Sequence, residues 1–79
     1  MKLPRDLSGT RLARHLCRTW GYTLVHQVGS HIVLQTEVPS HHRIVIPAHT
    51  PLRVGTLNGI LQAVAIHKGT IRENVLDGV

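Results

Sequence analysis

The stretch from Leu24 to Leu34 constrains the fold more than any other: two apolar, β-branched runs separated by Gly29-Ser30. β-branched residues fit a pleated, half-buried surface, and a two-residue break between two such runs reads as a tight hairpin. Gly29 can take the positive φ that the turn needs, and Ser30 is a common turn residue. His31 comes next, at the mouth of the second strand, and so projects from a rigid frame. With a two-residue turn, alternation puts Val25, Ile32 and Leu34 on one face and His26, His31 and Val33 on the other. The first set is expected to face the helices.

The rest of the chain supplies those helices. Ser8 is a good N-cap, and Leu12, Leu16 and Trp20 recur every fourth residue behind it, beside Ala13 and Cys17. That spacing predicts a helix with one apolar stripe, stopped by Gly21. Arg11, Arg14 and Arg18 fall on another flank, as a solvated row or a phosphate-contacting one. The strands are expected over 22–28, 31–36 and 43–46, the last stopped by Pro47. The loop over 37–42 carries Pro39, Ser40, His41 and His42. Thr56 is expected to cap a second helix, Leu57 to Ala65, with Ile60, Leu61 and Val64 on its apolar side. Thr70 and Glu73 have capping-box spacing for a short last helix whose Ile71, Val75 and Leu76 pack back on the core. The order α-β-β-β-α, plus a short C-terminal helix, gives one α+β domain over 1–79. It predicts a three-stranded antiparallel sheet with the first two helices on a single face.

Composition narrows the partners. A net charge of +5 on 79 residues fits a polyanion, either nucleic acid or an acidic protein surface. Aromatics make up only 3% of the chain, which disfavours a single-strand binder that stacks bases on aromatic platforms. Cys17 is the only cysteine, so no internal disulfide and no all-cysteine zinc site can form. The N-terminal stretch 1–6 has no apolar run of the signal-peptide kind, and no stretch has the length of a membrane span. A cytoplasmic protein is expected.

The chemistry-bearing residues are mostly histidines, seven in all. Zinc favours tight ligand pairs, and none stands at that spacing. The four acids, Asp6, Glu37, Glu73 and Asp77, form no close pair for two-carboxylate or Mg²⁺-dependent phosphodiester chemistry. No nucleophile elbow and no phosphate-binding Gly-rich loop is present. Cleavage of RNA remains compatible with this inventory, because RNA brings its own nucleophile, the 2′-OH. Such cleavage needs a base, an acid and cations, and histidine titrates near neutrality. No metal and no cofactor is expected.

Four pieces of the chain, in this order, resemble the HicA toxin family, the YcfA-like mRNA interferases. They are Gly21-Tyr22, Gly29-Ser30-His31, Val45-Ile46-Pro47-Ala48-His49 and Val54-Gly55-Thr56-Leu57-Asn58-Gly59-Ile60-Leu61. The resemblance runs almost from end to end. It implies a fold like the double-stranded-RNA-binding domain and a ribonuclease toxin held inactive by a HicB antitoxin. It also implies that the histidine of Gly-Ser-His, here His31, is catalytic. Ile32 departs from the second histidine or other polar residue that many members carry there, and the segment 38–43 is richer in histidine. Charge and loop position add Ser30, Arg43, Arg53 and Lys68 as candidate RNA contacts. Two other classes fit the same residues: a non-catalytic double-stranded-RNA-binding module, and a protein-interaction module that docks an acidic partner.

Overall fold

A computed structural model of the chain describes residues 3–79, so Met1 and Lys2 of the N-terminal stretch lie outside it. The elements are α1 (Gly9–Thr19), β1 (Thr23–Val28), β2 (His31–Thr36), β3 (His42–Pro47), α2 (Val54–Lys68) and α3 (Arg72–Leu76). The strands form one antiparallel sheet in the order β1-β2-β3.

The apolar stripes meet one sheet face, as their spacing predicts. Ile32, Leu34, Ile44 and Ile46 from the sheet are buried with Leu12 and Leu16 of α1 and Leu57, Leu61 and Val64 of α2. The other face carries no helix; there Val45 and Val28 stay 50% and 64% exposed. Among the described residues no helix is long and apolar enough to cross a membrane.

Ser8 caps α1 as expected, its hydroxyl accepting from the Arg11 amide at 3.1 Å. The second helix departs from expectation at both ends. It starts at Val54, with Arg53 as a cap that makes no side-chain bond, so Thr56 lies inside the first turn instead of capping it. It runs on to Lys68 because the stop signal is Gly69, in the left-handed region at φ 69°. There the Thr70 amide returns to the Ala65 carbonyl at 2.9 Å. The Thr70/Glu73 capping box does not form. Ile71 is the cap, and the Thr70 hydroxyl accepts from the Asn74 side chain at 2.9 Å.

The face assignment of β1 also needs correction. Gln27 pairs with Ile32 and Leu24 with Leu34, because a bulge falls between Leu24 and His26. Directly opposed residues share a face, so Leu24 and Gln27, not Val25, accompany Ile32 and Leu34. Val25 is the extra residue of the bulge. The outward set is unaffected: His26 pairs with Val33 and Val28 with His31.

Candidate functional site

Gly29 takes φ 57° and closes the hairpin. The turn is held from behind: the Ala48 amide donates to the Ser30 carbonyl at 2.6 Å, and the Gly9 amide donates to the His49 carbonyl at 3.0 Å. The start of α1, the exit of β3 and the Gly29-Ser30 turn are thus tied together. His31 stands on this tied corner, paired with Val28 on one side and Pro47 on the other. It is exposed, and its imidazole makes no hydrogen bond among the described residues. His26 lies on the same open face as a diagonal cross-strand neighbour, a relation that spans roughly 7–8 Å.

The sequence-predicted cations are divided between the two ends of the sheet. Arg53, exposed at the cap of α2, follows a loop pinned to the His31 end, where the Leu52 amide donates to the Leu7 carbonyl at 2.9 Å. Arg43 is at the other end. It shares the open face with His31 but is paired with Gln35, about 13 Å along the strand at ~3.3 Å per residue. Its guanidinium donates to Gln35 Oε1 at 2.7 and 3.1 Å. Lys68 also lies at that far end, on the helix side. Its ammonium donates to Thr36 Oγ1 at 3.1 Å and the Val38 carbonyl at 2.6 Å. His31, Ser30 and Arg53 therefore lie toward one end of the sheet, with Arg53 on the helix side, and Arg43 and Lys68 lie toward the other end.

That opposite corner holds a cluster that the sequence reading missed. The His42 and His67 rings stack with centroids 4.4 Å apart, and the Tyr22 hydroxyl lies 2.9 Å from His42 Nδ1. His67 Nε2 donates to the Ser40 carbonyl at 2.9 Å, and Lys68 sits 5.0 Å above the Tyr22 ring. Burial pushes the Tyr22 phenol up to about 12, so it stays protonated beside His42. Burial first, then His67, Lys68 and His41, push the His42 pKa below its ordinary 6.5. Glu37, the one carboxylate of this corner, is engaged by His41 at 2.9 Å. Among the described residues no group of three or more His, Cys, Asp or Glu converges as a metal set would need.

The shift has a sign. An unfolded chain protonates His42 near 6.5, while the folded one resists, so protons favour unfolding. The stability due to this site is complete above pH 6.5 and is lost as pH falls through the lowered folded value. Thermal melts at pH 7.5 and 5 should show the loss, and His42→Gln should flatten part of it. An acid slope unchanged in His42→Gln would assign the effect to another group.

His15, by contrast, is structural. It is 1% exposed, and its Nε2 donates to the Val75 carbonyl at 2.7 Å. The same carbonyl accepts from Trp20 Nε1 at 3.1 Å, which fastens the C-terminal segment to α1.

No protein-family model matches the chain, and comparison with curated proteins and with solved structures gives no match. The assignment of function therefore rests on the residues and their geometry.

Proposed function

We propose that the chain is a metal-independent endoribonuclease, a cytoplasmic toxin of the HicA type that cleaves mRNA and is held inactive by a HicB-like antitoxin. The observation that carries this reading is His31: an exposed, unpartnered imidazole on the uncovered sheet face, presented by a turn that two other segments brace. Proton transfer is favoured by an accessible group on a well-positioned backbone; His31 is exposed, and its backbone is held by the strand pairings to Val28 and Pro47. The α-β-β-β-α order, with the helices on one face, fits the double-stranded-RNA-binding-like fold that the resemblance implies.

In this reading His31 takes the proton of the 2′-OH or delivers one to the leaving 5′-oxygen. The 2′-oxygen attacks phosphorus, the bond to the 5′-oxygen breaks, and a 2′,3′-cyclic phosphate remains on the upstream fragment. Ser30 is the polar group beside His31, and Arg53 is the exposed cation at the same end of the sheet, the pair best suited to the phosphate under attack. Arg43 and Lys68 would meet RNA farther along. The unneutralised charge supports a polyanionic substrate: nine Lys and Arg stand against four acids, and the one ion pair among the described residues is His41–Glu37.

The test is incubation of purified protein with a defined transcript, with and without chelator. Cleavage that ignores chelator and leaves cyclic-phosphate or 3′-phosphate ends is expected. Salt-sensitive binding to duplex RNA without cleavage would replace the enzyme by a binding module.

A further inference from the structure

α1 packs on β2 and β3 and leaves the helix-side face of β1 bare. Between them runs a groove of about 720 Å³. Its floor is Leu24, Ile32 and Leu34, and its helical wall carries Arg11, Arg14 and Arg18. The Val25 bulge creates this floor by turning Leu24 toward the helix layer, where it remains 59% exposed. The groove is on the opposite sheet face from His31.

We propose that this groove docks an acidic amphipathic helix of a partner protein. The three arginines recur at i, i+3 and i+7, one flank of a helix. Only Arg11 has a partner, the Val79 carbonyl at 3.0 Å. Arg14 and Arg18 bond to no described residue, and no acid of the chain reaches them. A helix laid beside α1 at the usual ~8–10 Å spacing sets apolar residues on Leu24 and the floor. Its carboxylates, at the same helical spacing, face the arginines as charge-assisted, partly desolvated pairs. RNA fits less well. Its phosphates would satisfy the arginines, but an aliphatic floor offers a sugar-phosphate chain nothing, and the groove has no aromatic ring on which a base could stack. The inference does not depend on RNA cleavage, because it uses neither His31 nor its face.

A displayed library of helical peptides tests it, with leucine fixed along one face and the other face free among Glu, Gln and Lys. Selection against the intact protein should enrich Glu at helical spacing. Leu24→Ser should weaken the best peptide about tenfold, as loss of a largely buried leucine contact implies, and Arg14→Gln with Arg18→Gln should weaken it at least as much. His31→Ala should leave it unchanged. All of these positions are exposed, and circular dichroism confirms that the variants fold. No saturable peptide, or peptides that bind these variants as well as the wild type, would overturn the proposal. So would a duplex RNA probe that needs Arg14 and Arg18 but ignores Leu24→Ser, which would make the wall a nucleic-acid contact.

Discussion

Gly9→Ala should cost the protein on the order of 3 kcal/mol or more, a large part of the about 4–12 kcal/mol expected for a domain of this size. A Cβ at Gly9 would stand 1.7 Å from the Pro47 carbonyl oxygen, 2.8 Å from its carbon and 3.2 Å from the Ala48 Cα. All three are backbone atoms, so no rotamer change relieves the clash. Either α1 retreats from the end of β3, losing the Gly9–His49 hydrogen bond, or β3 bends away. The midpoint of a thermal melt should fall by about 12 °C or more, at ~4–8 °C per kcal/mol for a domain of 60–100 residues. Gly59→Ala is the control of opposite sign. Gly59 sits in α2 with nothing within 4 Å of the added carbon, so alanine there should add up to about 1 kcal/mol of helix propensity. A Gly9→Ala protein that melts within a few degrees of the wild type would show that α1 and β3 can separate at little cost. Since that same corner braces the Ser30–His31 turn, any activity of the chain should fall with it.

Much of this was readable in the residues. The Gly29-Ser30 turn, the existence of three strands and the Leu12/Leu16 and Leu61/Val64 stripes follow from turn chemistry and periodicities of 2 and 3.6, and the periodicity holds where an element packs one face on the core; β1, all of whose residues are exposed, is where it fails. The missed cluster was readable on the same terms. His42 continues the inward phase of Ile44 and Ile46, and His67 and Lys68 continue the stripe of Ile60 and Val64 by one turn. Polar residues at the end of an apolar phase mark where a core face meets solvent, and two such ends converge here with Tyr22. The end of α2 was marked as well, by Gly69.

Other features left no local trace. The bulge at Val25 occurs in a strand with neither glycine nor proline, Thr23–Val28, so no residue of the usual punctuating kind shows that the alternation skips a position. The groove depends on that bulge and on where α1 crosses the sheet, which is set by the sum of packing contacts. Gly9 looks like an ordinary early-helix residue until the carbonyl of Pro47, distant in sequence, is placed against it. The place of His31 beside its turn was therefore legible from neighbours along the chain, whereas the bulge, the groove and the close approach at Gly9 needed long-range contacts.

His31→Ala should lower RNA cleavage about 10²-fold or more, the usual weight of a positioned general acid or base, and should relieve toxicity in growing cells. Stability should change by no more than about 0.5 kcal/mol. The imidazole is exposed, bonds to no described residue and lies outside the buried core. The strand pairings to Val28 and Pro47 are made by backbone that alanine keeps. His15→Ala is the informative contrast. It removes one of the two donors to the Val75 carbonyl and empties the space of a ring that is 1% exposed, a change expected to cost about 1–3 kcal/mol, at a residue remote from the open face. Loss of stability should accompany His15→Ala, and loss of cleavage in a fully folded protein should accompany His31→Ala. Melting curves and end-labelled RNA cleavage on the two variants separate the effects. Full cleavage by a folded His31→Ala protein would leave the open face without its proton-transfer group. The charge and the fold would then speak for binding alone.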